Sequence, residues 1–543
     1  MRMNKGIRSE KVKRYPFDKI RLIFQNTLLV VFAALFLLKA YTTLGWRMEH
    51  DTPLIHYAAF LMDRYGLVPY RDIFQGDMPG SFAFHYLIGK LFGYGDAAFR
   101  YVDLTLLGAL LTATFMFMRR FGYLVAVWAA ILFGLLYLSL GQQVSLQRDY
   151  IGIIPIAFAL LVIPAKMDTP VRLVRFALVG MLFGISVLIK PHLGIAFPIL
   201  FGTLLAFRWS SQSKSTADFF KCAIVSGISL LAPVIIALSW LAANSALTPF
   251  MDIVFHLLPL YNSMTRDFET VPGFDRGLYL IEETLTFGGI APLLLCSLFG
   301  YYHVAVHADE DKARAISLTC LCLCTLAYVI YPTLAGKFWD YHYIPTAYFC
   351  VISAVLCLFR YPQPFNSHFM YKNKETLPVL ALVIGVIVQL PPFTYVSSLV
   401  SDLRSGHEAH APKEGRVDEI ANWLKDRLHP GDTVQPLDIA GGSIHGMLLA
   451  KARLSTKFIY DYYFYHNVSS PYVQELRRSF ISQLRKSPPR FIIDVITGKP
   501  WVSGIDSTRE FPELRKFMDD YYTVAYKGDG YFIYERVNDK QLQ

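Results

Sequence analysis

Residues 22–45 read LIFQNTLLVVFAALFLLKAYTTLG, with Lys39 as the only charged side chain. A helix needs ~20 apolar residues to cross ~30 Å of hydrocarbon, so this segment predicts a membrane helix. Outward from it, similar runs recur near 101–118, 121–140, 150–165, 176–189, 192–207, 222–243, 288–306, 315–333, 342–359 and 377–394. The expected fold class is a multi-spanning α-helical membrane protein with about eleven transmembrane helices. Composition agrees: of 543 residues, 54% are apolar and only 17% charged, with a mean hydropathy of +0.36. A soluble domain carries about 25% charged residues. Aromatic residues at 15% also exclude disordered and collagen-like chains.

The net charge of +10 raises the question of nucleic acid, and the positions of the charges answer it. Residues 1–21 hold eight Lys and Arg, and alternate short loops hold Arg119, Arg120, Lys166, Arg172, Arg175, Arg208, Lys214, Lys221, Lys312, Arg314, Arg360, Lys372 and Lys374. The opposite loops 141–149, 246–285 and 334–341 hold only Arg148, Arg266, Arg276 and Lys337. Such asymmetry places the basic side in the cytoplasm, so the charge sets topology and no nucleic-acid partner is expected. The N-terminus has a basic region before an apolar core, but the core is too long for a signal peptide and no small-residue cleavage site closes it. Residues 1–21 are then a cytoplasmic N-terminus and 22–394 a transmembrane domain. The seven cysteines lie in or beside apolar runs, which predicts no disulfide framework. Cys320, Cys322 and Cys324 repeat with period two on a helix and read as apolar packing.

Two regions fall outside the membrane on the far side: the first loop, 46–99, and everything from 395 to 543. The C-terminal region has a soluble composition and a mixed pattern. Ile420, Trp423, Leu424 and Leu428 share one helical face, and the turn at His429-Pro430-Gly431-Asp432 ends that helix. RFIIDVI (490–496) reads as a buried strand, and 522–527 with 531–537 read as a hairpin across Gly528-Asp529-Gly530. The expectation is an extracytoplasmic α/β domain. No solenoid period and no matched pair of broken helices is visible.

The first loop reads WRMEHDTPLIHYAAFLMDRYGLVPYRDIFQGDMPGSFAFHYLIGKLFGYGDAAFR (46–100). It gathers Glu49, Asp51, Asp63, Asp72, Asp77 and Asp96 just beyond helix 1. Ile55, Ala58, Ala59 and Met62 form one apolar face, as in a helix lying flat on a membrane surface. In this loop, Asp51 and Tyr57, Gly66-x-x-Pro69-Tyr70-Arg71-Asp72, Pro79-Gly80, and Phe92-Gly93 ending at Arg100 resemble the first-loop pattern of the GT-C superfamily. That superfamily comprises glycosyltransferases using lipid-linked sugars. The likeness is to its bacterial branch, related to protein O-mannosyltransferases and the lipid A aminoarabinose transferase. Arg148-Asp149, Leu188-Ile189-Lys190-Pro191 and Asp340-Tyr341-His342-Tyr343 fit the same pattern. One departure stands out: many relatives carry a basic residue and two prolines where this chain has Asp77-Met78-Pro79.

The resemblance implies a polyprenyl-phosphate-linked sugar as donor and a glycan, lipid or protein of the cell envelope as acceptor. It also makes Asp51 the counterpart of the catalytic aspartate. Chemistry asks for the same parts. Attack of a hydroxyl on an anomeric carbon needs a general base, and the departing phosphate needs cations beside it. One carboxylate implies single displacement with inversion. Asp51 is the candidate base, although Asp before Thr52-Pro53 is also a good helix N-cap. Glu49, Arg71, Asp72 and Asp77 are candidate substrate contacts. Arg148, Lys190, Lys337 and His342 are candidates for the phosphate, set against flanking charge, snorkelling and an interfacial aromatic belt around Phe338-Trp339. The superfamily contains metal-dependent and metal-independent enzymes; Asp51, Asp72 and Asp77 offer oxygen ligands to Mg²⁺ or Mn²⁺. The aromatic run Tyr460–His466 suits stacking on sugar rings or packing of the domain. Rival readings are a transporter or flippase for lipid-linked glycans, or an oligosaccharide transferase or polymerase drawing on a diphosphate carrier. Absent exported cysteines and the charge pattern suit a bacterial plasma (inner) membrane.

Overall fold

The computed structural model describes residues 16–211, 214–307, 311–359, 376–389, 397, 399–401, 403–404, 411–497, 502 and 504–537. The basic cluster within residues 1–15, the loop residues Arg360, Lys372 and Lys374, and the expected boundary at 394–395 lie outside the described residues. All eleven apolar segments are helical: α1 (Pro16–Thr42), α4 (Asp96–Met118), α5 (Tyr123–Ser139), α6 (Arg148–Val162), α7 (Leu173–Ile189), α8 (Phe197–Ser211), α9 (Thr216–Ala243), α13 (Ala291–His307), α14 (Lys312–Ala335), α15 (Ile344–Ala354) and α16 (Thr376–Gln389). Among the described residues, six helical stretches are long and apolar enough to cross a membrane, or seven with one pair bent by 75° at Ile290. Three more helices are apolar but shorter. These lie in α5, α7 and α16, and length is the reason for the lower number: α5 and α7 have 17 residues and α16 has 14, while α6, with 15, falls short as well.

Helix contacts in the bundle rest on small residues. A Cβ at Gly180 would lie 2.2 Å from the Ser226 carbonyl oxygen, and one at Gly184 2.3 Å from that of Leu230. Gly180-x-x-x-Gly184 thus lets α7 and α9 touch backbone to backbone, which is how membrane helices gain packing energy without a hydrophobic drive. At one end of the bundle, buried Arg100 on α4 donates to the Thr43 carbonyl (2.9 Å) and pairs with buried Asp103. Asp103 also accepts from the Tyr137 hydroxyl (2.6 Å) and the Leu146 amide (3.2 Å). This network ties the ends of α1, α4 and α5 together, and the first loop leaves from there.

The first loop forms α2 (Thr52–Tyr65) and α3 (Pro79–Phe92). Residues Thr52–Leu61 of α2 are buried on every side, so the flat-lying amphipathic helix is corrected. Its second cover is the C-terminal region, where the Tyr57 hydroxyl donates to the Ala452 carbonyl (2.9 Å). Periodicity misses this because one face packs on α3 and the other under a separate unit. Short helices α10 (Leu247–Asp252) and α11 (Leu258–Asn262), then α12 (Gly273–Leu285), fill the 246–285 loop.

Residues 411–537 build a five-stranded mixed sheet in the order β2-β1-β3-β5-β4. Its strands are β1 (Thr433–Leu437), β2 (Arg453–Leu454), β3 (Phe491–Val495), β4 (Tyr522–Gly528) and β5 (Tyr531–Arg536). β1 runs parallel to β2 and β3, while β5 is antiparallel to β3 and β4. The expected strand and hairpin are therefore β3 and β4–β5. The expected helix is α17 (Arg416–Lys425), burying Ile420, Trp423 and Leu424. Backbone pairing joins this unit to the first loop: the Phe74 amide donates to the Lys457 carbonyl (2.6 Å), and Phe74 bridges Phe458 in parallel.

Candidate active site

Asp51 is the last residue before α2, yet its side chain makes no capping bond. Pro53 at the helix start removes one amide that a cap would serve, so the carboxylate is free to point elsewhere. One oxygen meets the Arg148 guanidinium (2.9 Å) and the Tyr341 hydroxyl (3.1 Å), the other His50 Nδ1 (3.0 Å). Arg148, first residue of α6, spans from Asp51 to Asp77 with its two terminal nitrogens. Gln75 donates to the far oxygen of Asp77 (2.5 Å), and the Tyr70 hydroxyl bonds the Asp77 carbonyl (2.6 Å). A planar fork suits this two-carboxylate grip in a way an ammonium does not.

The two carboxylates differ in their ease of protonation. Burial would raise Asp51, but His50, Arg148 and Tyr341 outweigh it and hold its pKa well below the carboxylate range. For Asp77, burial, helped by the charge of Asp51, outweighs Arg148 and Gln75 and leaves the pKa above its ordinary value. Burial works against a charged His50, yet Asp51 wins and its pKa is raised. A buried pair of acids driven apart in this way is a common feature of acid–base sites.

These groups line one cavity that opens to the outside. Asp51, Gln75, Asp77 and Arg148 line the base, and the walls are Tyr261, Phe268, Trp339, Tyr460, Tyr462 and Tyr463. Behind Arg148, Asp149 takes both oxygens to Lys190 Nζ (2.9 Å each) and accepts from the Tyr331 hydroxyl (2.5 Å). Lys190 follows α7 directly, so the ends of α6 and α7 meet through this pair. His342 is buried against the Trp339 and Tyr341 rings, its Nδ1 unbonded among the described residues. Lys337 is buried too; it donates to the carbonyls of Met264 (2.7 Å) and Thr265 (3.2 Å) and sits 4.2 Å from the Tyr261 ring. Burial, aided by Arg276, pushes its amine down to about 6. Its contacts join the 246–285 loop to the end of α14.

Of the nine expected residues, Asp51, Asp77 and Arg148 line the cavity; Lys190, Lys337 and His342 lie behind its lining, and Glu49, Arg71 and Asp72 have partners of their own elsewhere. Glu49 faces Lys413 (3.6 Å) in a neighbouring crevice. Arg71 and Asp72 grip each other through two bonds (3.0 and 2.7 Å), and Arg71 also reaches the Asn244 carbonyl (2.9 Å). Asp72 accepts from the Val68 amide (2.9 Å), which closes its own turn. The proposed ligand trio Asp51, Asp72 and Asp77 therefore does not converge: Asp72 is spent on the turn, and the Arg148 guanidinium fills the gap between the other two. Among the described residues, no group of three His, Cys, Asp or Glu is placed to hold a metal ion.

His50, Gln75, Tyr341 and Asp149 were not singled out from sequence. Signals existed for three of them, since His50 precedes Asp51, Asp149 follows Arg148, and Tyr341 lies in the Asp-Tyr-His-Tyr motif. His50 also holds an uncommon positive φ of 57°, which no pattern betrays.

No protein-family model matches the chain, and comparison with curated proteins found no match. Solved structures do match. ArnT from Cupriavidus metallidurans bound to undecaprenyl phosphate superposes with a TM-score of 0.58 at 12% identity, covering 94% of this chain and 98% of that one. The apo state of the same protein gives 0.57 at 13% identity, with the same coverage. At this identity the likeness speaks for architecture, and it extends over nearly all of both chains. The chain shares the fold of ArnT over nearly its whole length.

Proposed function

We propose that this protein is a membrane glycosyltransferase that moves a sugar from a polyprenyl-phosphate carrier to an envelope glycan, lipid or protein. In this reading residues 22–394 are the membrane domain, the eleven apolar helices each crossing once, and the first loop and 395–543 lie beyond the outer face of an inner membrane. The observation that carries it is the Asp51 carboxylate, free of capping duty and directed with Asp77 and Arg148 into one cavity. The ArnT fold, solved with undecaprenyl phosphate in that protein, supports the carrier.

The reaction balances with these parts. The acceptor oxygen forms its bond to the anomeric carbon while its proton passes to Asp51. The anomeric carbon–oxygen bond breaks, and its electron pair leaves on the carrier phosphate. Arg148 meets that charge by exchanging one carboxylate for phosphate oxygens, a substitution suited to its fork. Lys190 adds positive potential from behind, and its bond to Asp149 keeps it in place. Lys337 and His342 back the cavity wall through the Tyr261 and Trp339 rings, and Glu49, Arg71 and Asp72 shape the loop that carries Asp51 and Asp77. A single base on one face gives inversion.

A second assignment has its own support. A base works best with a pKa near the working pH, and Asp77 is raised where Asp51 is lowered. Asp77 would then take the proton and Asp51 would hold Arg148 and His50. Transfer of labelled sugar to membrane acceptors by Asp51→Asn and Asp77→Asn separates the two. Loss of about a hundredfold or more in Asp51→Asn, with a smaller loss in Asp77→Asn, identifies Asp51 as the base. The reverse order identifies Asp77, and normal rates in both remove the carboxylates from the mechanism.

A further inference from the structure

The walls of the cavity come from parts of the chain far apart in sequence. Trp339 lies in the turn after α14, Phe268 in the 246–285 loop, and Tyr462 and Tyr463 in the C-terminal unit. Their rings form a continuous course: Trp339 to Phe268 at 5.9 Å, Phe268 to Tyr462 at 5.3 Å, and Tyr462 to Tyr463 at 5.1 Å between centroids. They line a void above the carboxylates rather than closing it.

The polar tips of these rings are only partly engaged. The Tyr462 hydroxyl finds just the Met264 sulfur (3.9 Å), a weak acceptor, and the Tyr261 hydroxyl has no hydrogen-bond partner among the described residues. Tyr460 and Tyr463 bond each other through their hydroxyls. Flat apolar faces, spare hydroxyls and two carboxylates in one cavity match a sugar ring, which has C–H faces and a hydroxyl edge. Aromatic side chains offer both kinds of contact at once.

We propose that this aromatic course, with Tyr462 and Tyr463 from the C-terminal unit, seats the sugar ring itself, making that unit part of the substrate site. The inference rests on the glycosyl-transfer reading and deepens it. The ring comes either from the donor on its carrier or from a sugar of the acceptor, and the two sources are separable.

The test uses the full chain in detergent, with polyprenyl-phosphate sugars, bare polyprenyl phosphate and methyl glycosides of the same sugars as probes. Wild type binds at least one sugar-bearing carrier more tightly than the bare carrier. Tyr462→Leu and Trp339→Leu each reduce that difference about tenfold, and Tyr462→Phe, which keeps the ring and loses only the hydroxyl, reduces it less. If the seat serves the acceptor, the carrier difference survives in both leucine variants, but binding of a methyl glycoside weakens about tenfold. Leucine variants that melt like wild type and leave both measurements unchanged overturn the seat while leaving the transfer reading intact. A wild type that neither distinguishes sugar-bearing from bare carrier nor releases carrier phosphate overturns the transfer reading, and the seat with it.

Discussion

Arg148 carries the strictest geometric demand of any residue in the site, because one side chain serves Asp51 and Asp77 together. Arg148→Lys keeps the charge and loses the fork, so it should cut sugar transfer about tenfold or more, read as initial rate at saturating donor. Asp51 gives a second expectation, in stability. Its folded pKa lies below the unfolded value of about 4. Its contribution is therefore fully present above about pH 4 and fades as pH falls toward the folded value. Asp51→Asn should lower Tm at pH 7, and the gap from wild type should narrow by pH 3. A constant gap would mean that the carboxylate charge adds nothing to the folded state. At this scale much was legible: Asp51, Asp77 and Arg148 were read from a loop pattern and a turn. What the sequence withheld was the partnership, since residues 51, 77, 148 and 341 converge only through tertiary packing. For the same reason Arg71 and Asp72, adjacent in sequence, looked functional when their first partners are each other.

Helix–helix contact, at the next scale, depends on Gly180 and Gly184, where added carbons would press on the α9 backbone. Gly184→Leu should separate α7 from α9, lower Tm by several degrees and shift Lys190, which follows α7, away from Asp149. A melting curve with a transfer assay checks both effects, and a Tm equal to wild type would contradict the close contact. The eleven helical segments were legible because apolar runs of this length have few alternatives in a chain so poor in charge. The short ones were legible as helices but not as crossings by length alone. Burial of α2 was not legible, because its second cover lies some 400 residues away at Ala452.

For the whole molecule, the C-terminal unit is stitched to the first loop by backbone at Phe74 and Lys457 and supplies Tyr460, Tyr462 and Tyr463 to the cavity. A chain ending at residue 410 should therefore lose transfer even where its membrane part inserts and stays dispersed in detergent, assayed with the same donors. Retained transfer would show that the unit is dispensable to the site. The strand and hairpin of this unit were visible from alternation, while its place over the cavity was not, because nothing local in Tyr460–His466 distinguishes a cavity wall from a packed core. The central claim is that carrier-linked sugar reacts at Asp51, and release of free polyprenyl phosphate from a panel of polyprenyl-phosphate sugars tests it most directly, with purified wild type beside Asp51→Asn. The account predicts sugar-dependent release by wild type that the variant loses. Release by neither protein from any donor, with both folded and membrane acceptors present, would contradict it and favour a transporter or a diphosphate-carrier enzyme.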